Sequence, residues 1–191
     1  DAIKMKLDAN SRISLSNNDD GVSNTIFGKT AGDPDGAGDF NVYIGELAGG
    51  TGTQTDDGDY NTAIGYQALT DLTSGTSNVA MGKDAATNLT TGGTNIAIGV
   101  DTLYTSTAAS RAVAIGKNAL YAGTATAAGS VAIGYDSLRN LSDGDGNIGI
   151  GSSAGNAITT GLYNTIVGGL AGDAINTGTG NPLMGYQAGS A

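Results

Sequence analysis

Asn78-Val-Ala-Met-Gly82 is followed by Asn95-Ile-Ala-Ile-Gly99 and then by Ala112-Val-Ala-Ile-Gly116, each closing glycine 17 residues after the last. Outward from this trio, the pattern Asn-x-x-apolar-Gly recurs along nearly the whole chain. Its closing glycines are Gly28, Gly45, Gly65, Gly82, Gly99, Gly116, Gly134, Gly151, Gly168 and Gly185, spaced by 17 apart from one interval of 20 and one of 18. Self-similarity at a short fixed period is the mark of a repeat stack, in which no unit buries enough surface alone and neighbours complete one core.

Aligned on that glycine, each column has a physical meaning. The residue before it is large and apolar in all ten copies, from Phe27 and Ile44 to Val167 and Met184. Two residues earlier stand Thr25, Val42, Thr62, Val79, Ile96, Val113, Val131, Ile148, Thr165 and Pro182, all β-branched but the last. Alternate apolar and β-branched positions predict a short strand with this face as its core. The column between them points the other way. It is small in six consecutive central copies, Ala63, Ala80, Ala97, Ala114, Ala132 and Gly149, and large at the ends, in Ile26, Tyr43, Ile166 and Leu183. A small-residue face on a strand that has its core elsewhere suggests close approach of another backbone, and these six are read as a contact between chains, the alternative being a surface kept flat within a monomer.

Asn opens the motif in eight copies, with Ala112 and Ser130 as the exceptions. Asn accepts left-handed backbone, bonds its own turn, and stacks as an amide ladder when copies lie in register. A small residue follows the glycine by three, then Leu or Gly in nine copies; Leu72, Leu89, Leu141, Ile158 and Ile175 add an apolar position seven residues after the glycine. Seventeen residues are too few for a helix, a strand and their connections, and suit a two-strand coil. Ten coils at roughly 4.8 Å each give a stack about 48 Å tall.

Composition first argues against any fold. Val, Ile, Leu and Phe total 36 of 191 residues with 33 Gly and a net charge of -10, the profile of a disordered chain. The repeat resolves this, because a thin solenoid needs only a few apolar side chains per coil. With no His and no Cys, imidazole acid/base chemistry, Ser-His-Asp and Cys-His nucleophiles, and zinc sites of the usual type are excluded. Five Lys and three Arg are scattered without a basic stripe, so no nucleic-acid partner is expected. No apolar run approaches the roughly 20 residues of a membrane span, and no membrane insertion is expected. The zero Cys count leaves no disulfide framework.

Residues 1–20 differ from the rest. Ile3, Met5, Leu7, Ile13 and Leu15 alternate with Lys4, Lys6, Arg12, Ser14 and Ser16, which predicts one or two strands around a turn at 8–11. They form a cap segment, and 21–191 form the repeat domain. The far end lacks a cap, six residues beyond Gly185, and the natural polypeptide is expected to continue or to be cleaved there.

Val113-Ala-Ile-Gly116, Ser130-Val-Ala-Ile-Gly134 and Asn95-Ile-Ala-Ile-Gly99, each followed by x-x-Ala/Ser/Thr, resemble the head repeats of trimeric autotransporter adhesins and equally the repeat stretches of bacteriophage tail-fibre proteins. The resemblance covers roughly residues 21–191. It implies an all-β, parallel β-roll or solenoid of about ten 17-residue coils, left-handed, with three chains about one axis as a homotrimer. The adhesins' usual head repeat is shorter, and residues 1–191 contain no heptad-stalk or anchor-barrel pattern. With Asn10-Ser-Arg-Ile-Ser-Leu-Ser-Asn-Asn18 leading into the repeats, a phage fibre is the favoured reading: a rigid trimeric shaft or head on the virion, contacting a host cell-surface glycan or protein. The alternatives are the head of a bacterial surface adhesin, and a self-assembling extracellular filament subunit.

Other groups carry weaker expectations. Asp33-Pro-Asp-Gly-Ala-Gly-Asp39, Asp56-Asp-Gly-Asp59 and Asp143-Gly-Asp-Gly-Asn147 are acidic enough for Ca²⁺, yet lack the full EF-hand pattern and read as solvated turns. Tyr66, Tyr135 and Tyr186 share the column after the glycine, where they could stack on sugars or cover apolar neighbours; Lys83 and Lys117 in that column read as surface residues. Glu46 is the one Glu, which leaves a glycosidase without its usual pair, and Thr is not held in one register as an ice-binding face would require. No catalytic residue, cofactor or metal is expected.

Overall fold

The computed structural model describes residues 5–7, 13–15, 23–32, 38–50, 52, 58–122 and 128–190. Two short strands, β1 (Met5–Leu7) and β2 (Ile13–Leu15), pair antiparallel with Met5 opposite Leu15. Ten three-residue strands follow, one per repeat: β3 (Thr25–Phe27), β4 (Val42–Ile44), β5 (Thr62–Ile64), β6 (Val79–Met81), β7 (Ile96–Ile98), β8 (Val113–Ile115), β9 (Val131–Ile133), β10 (Ile148–Ile150), β11 (Thr165–Val167) and β12 (Pro182–Met184). They form one parallel sheet in strict chain order. Each motif column lies in register on the next, as in Ala80 beside Ala97 and Ala97 beside Ala114. The chain is an all-β parallel β-solenoid, as the repeat predicts.

The second side of each coil is not a strand. It is still a ladder, with Leu69 N–H donating to the Ala85 carbonyl at 3.0 Å and Leu103 N–H to that of Ala119 at 3.0 Å. Its backbone alternates hand, however. The second and fourth residues after each motif glycine sit in the left-handed region, as Gln67 (φ 55°) and Leu69 (φ 52°) do, and so does the residue before each motif Asn, as Ser77 (φ 59°) does. Left-handed conformation costs an L-residue roughly 1–2 kcal/mol. It persists here because the coils above and below fix each amide and carbonyl.

The motif glycine is demanded by stacking. Gly82 has φ 139°, and a Cβ there would lie 2.3 Å from the carbonyl oxygen of Gly99 in the next coil; the same collision meets a Cβ on Gly65 at 2.4 Å and on Gly134 at 2.4 Å. No side chain fits between glycines so close.

Asn41, Asn61, Asn78, Asn95, Asn147 and Asn164 are buried and do two jobs each. Asn78 Nδ2 donates to the Gly92 carbonyl at 2.9 Å, which satisfies a loop of its own coil, while its Oδ1 accepts from the N–H (3.0 Å) and Nδ2 (2.9 Å) of Asn95. The pattern repeats at Asn147 and Asn164. It breaks where Ala112 accepts nothing through its side chain, and is half-restored at Ser130, whose Oγ accepts from Asn147 N–H at 3.1 Å.

The core lies on the side of the sheet opposite to the expected one. Ala63, Ala80, Ala114 and Ala132 are 0% exposed and Ala97 is 1% exposed; Gly149 is buried with them. All six point into the coil, beside Leu69, Leu103, Leu120, Leu138 and the apolar seventh-position residues Leu72, Leu89, Leu141 and Ile158. The physical reason is volume. Where the inward column is small, the fourth residue after the glycine is mostly Leu and fills the coil; where it is large, that residue is Gly. A Cβ on Gly32 would lie 2.8 Å from Ile26, on Gly49 2.7 Å from Tyr43, on Gly172 2.7 Å from Ile166 and on Gly189 2.6 Å from Leu183. Interiors are filled to crystal density, and eight of the ten coils meet that demand with one large side chain from either wall; in the coil of Gly151, where Gly149 and Gly155 are both small, Leu138 and Ile166 of the neighbouring coils reach in. The six small residues are therefore the inner wall of a single chain, without surface to offer another.

Candidate functional site: the outer face of the sheet

With the small column turned inward, the two columns first assigned to the core face outward. Val79, Ile96, Ile98, Val113, Ile115, Val131, Ile133 and Ile148 are all partly or fully solvent-accessible. The face is widened by the residue before each Asn, here the leading column (Phe40, Tyr60, Tyr163), and by the residue after each glycine, the trailing column (Tyr66, Val100, Tyr135, Tyr186). Of the 14 large exposed apolar side chains among the described residues, all but Leu170 lie in these four adjacent columns. Scattered exposed apolar residues need no explanation, but a contiguous patch beyond a few hundred Å² marks an interaction site.

The predicted tyrosines belong to this face. Tyr66 is 43% exposed, Tyr135 52% and Tyr186 73%, so they stand at its edge, and nothing in their column stacks ring on ring. The ring stacks lie in other columns. Phe40 and Tyr60, in the leading column, are parallel with centroids 5.2 Å apart. Tyr104 and Tyr121, on the second side of the coil, are 5.3 Å apart, with the Arg139 guanidinium 5.0 Å over the Tyr121 ring. In both stacks the rings cover one another's faces along the stacking direction, which suits them to tying coils together.

The charged residues sit at the rim. Lys29, Lys83 and Lys117 share the trailing column with Glu46, and Lys29 pairs with Glu46 of the next coil at 3.2 Å. Lys83 is bonded to Asp84 behind it. That hydrogen bond, with the charges of Asp84 and Asp101, raises the Lys83 ammonium above its ordinary pKa, so it stays cationic throughout the neutral range. Asp84 offers only one oxygen to this pair; its other oxygen is buried without a partner.

The acidic turns serve the stack where they are described. Asp59 Oδ1 accepts from Asp39 N–H at 2.7 Å and Asp145 Oδ1 from Ala128 N–H at 3.1 Å, each bracing the preceding coil. Residues 33–37 and 56–57, the remainder of the first two acidic turns, lie outside the described residues. Among the described residues no three His, Cys, Asp or Glu side chains converge as metal ligands. Nor, among them, is any helix long and apolar enough to cross a membrane.

Among the described residues, what this geometry offers is an interface: a wall of aliphatic side chains with an aromatic and cationic rim. Comparison with models of known protein families, with curated proteins and with solved structures gives no match.

Proposed function

We propose that this chain is a structural and adhesive component of a bacteriophage tail fibre, a stiff left-handed β-roll that assembles as a homotrimer with its outer sheet faces turned to a common axis. The observation that supports this is the four-column apolar face on a molecule whose own core is already closed by the inward wall. An aliphatic wall left in water is costly, at roughly 25 cal/mol per Å² of apolar area, and three copies about an axis remove it symmetrically. The amide and backbone ladders then act mechanically, as a spacer that resists bending. The loops on the far side, rich in Thr, Ser and Asp, supply weak contacts to a host-surface glycan or protein, multiplied by three-fold avidity.

Sedimentation equilibrium tests the assembly. The wild-type chain, of 18.7 kDa, is expected to sediment at three times its mass, and Ile98→Asp with Ile115→Asp at one times, with its circular dichroism unchanged. A wild-type monomer would end the reading. Binding of the trimer to bacterial surface polysaccharides on a glycan array, absent for the monomeric variant, tests the adhesive role.

A further inference from the structure

Asp84, Asp101, Asn118 and Asp136 each stand second after their motif glycine, in four successive coils. All four hold left-handed backbone, at φ 56°, 55°, 58° and 53°. The N–H of each donates into the preceding coil, as Asp101 N–H does to the Lys83 carbonyl at 3.1 Å. Like backbone in adjacent coils sets the side chains in one line, a strand spacing of about 4.8 Å apart.

At one end of this line the polar groups answer one another. Asn118 Nδ2 donates to Asp136 Oδ1 at 2.8 Å, and Arg139 Nε stands 3.5 Å from that same oxygen. At the other end they do not. Lys83 is hydrogen-bonded to Asp84 and lies in the field of Asp101 as well, so two carboxylates in adjacent coils share one ammonium. Asp84 is 8% exposed, and its Oδ1 is buried with no hydrogen-bond partner. Among the described residues no other buried side-chain nitrogen or oxygen is left so. Left-handed backbone does not ask for a carboxylate, since Asn accepts it too, and an amide would bring a donor to its neighbour as Asn118 does to Asp136. Two negative charges against one positive leave the pair one positive charge short, and an orphaned buried oxygen of this kind points to a missing ion or donor.

We infer that Asp84 and Asp101 hold a hard divalent cation, of the Ca²⁺ class, which takes the place of the Lys83 ammonium. Asp84 then uses both its oxygens and Asp101 supplies another. Asn118 has its Oδ1 left for the same side, because its Nδ2 is committed to Asp136. Oxygen donors alone select Mg²⁺, Ca²⁺ or Mn²⁺. Ca²⁺ suits this line best, since it takes about 6–8 oxygens in flexible geometry with water among them, whereas Mg²⁺ demands a near-ideal octahedron. With only two carboxylates the site is weak, in the range of about 10⁻⁴–10⁻³ M of extracellular modules. Entry needs no opening of the coil. The Lys83 side chain is 59% exposed, so its ammonium swings into water as the ion arrives and adds to the cationic rim of the outer face. The site lies within one chain and is independent of assembly.

Titration calorimetry of the full chain with CaCl₂ is expected to show one ion per chain, with a dissociation constant of about 10⁻⁴–10⁻³ M. Lys83→Met removes the resident cation at an exposed position and should tighten binding by about tenfold or more. In that background Asp84→Asn and Asp101→Asn, which keep a side chain suited to left-handed backbone, should each weaken it by about tenfold or more, with circular dichroism unchanged. No binding to the wild-type chain at about 10 mM Ca²⁺, well above the expected range, would overturn the site. So would equal affinity in wild type and Lys83→Met, or an affinity that survives Asp101→Asn, the mark of ions gathered by the acidic turns instead.

Discussion

The volume exchange across each coil is testable as a double-mutant cycle at Ala114 and Leu120, six residues apart in one coil and both fully buried. Ala114→Ile adds three carbons to a filled space, and overpacking of that kind costs about 1–3 kcal/mol. Leu120→Gly empties the opposite wall. Leu truncations in cores cost about 2–5 kcal/mol, here offset by about 1 kcal/mol because Leu120 sits at φ 52°, a conformation glycine adopts without strain. The double variant copies the arrangement of Ile166 and Gly172, where a Cβ on the glycine would lie 2.7 Å from the isoleucine. It is therefore expected within about 1 kcal/mol of wild type, which makes the coupling favourable by at least about 1 kcal/mol. Urea unfolding at fixed protein concentration measures all four corners, with m-values checked for constancy. Two results would refute the reasoning. One is additivity within about 0.5 kcal/mol. The other is an Ala114→Ile variant that falls apart into monomers of undiminished stability, the behaviour of a residue lying between chains.

Further outcomes follow from the ladders and the outer face. Gly82→Ala places its Cβ 2.3 Å from a backbone oxygen at φ 139° and is expected to destabilise by at least about 3 kcal/mol by thermal melt, since neither the backbone above nor the strain can be relieved. Asn78→Ala strands the Gly92 carbonyl and the Asn95 N–H in a dry interior and should cost about 2–4 kcal/mol, whereas Ser130→Asn, which extends the ladder, should be neutral or raise the melting temperature. Ile115→Asp should shift the monomer's own stability by less than about 0.5 kcal/mol while abolishing the oligomer; an unfolded variant would place Ile115 in the core after all.

The period, the strand in every coil and the stack were legible because 17-residue spacing and β-branched columns reflect local geometry directly. Which face was inside was not, and the reason is specific. Large aliphatic residues such as Ile98 and Ile115 are the usual sign of a core, and Ala97 and Ala114 the usual sign of close backbone approach; in a coil this narrow the inference inverts, because the interior admits one large side chain and the wide outer wall admits many. The signal that decides it was present as paired variation: Ile26 with Gly32, Tyr43 with Gly49 and Leu183 with Gly189, against Ala63 with Leu69, Ala97 with Leu103 and Ala132 with Leu138. Residues that exchange volume must share a cavity. The left-handed second side was hidden for a different reason: Leu69, Leu103, Leu120 and Leu138 occupy a conformation that leucine avoids, and only the stack imposes it.

The gap in the asparagine ladder at Ala112 and Ser130 bears on how the rod yields. A stack in which each coil touches only its neighbours behaves as a line of coupled units, and its cooperativity is set by the weakest junction. Side-chain amide to side-chain amide, Asn61 through Asn95 form one unbroken wire and Asn147 through Asn181 another, joined by two coils that carry the backbone ladder without it. Strained along its length, such a rod parts near its middle and leaves two zipped halves poised to close again, so the omission of two amides works as a fuse.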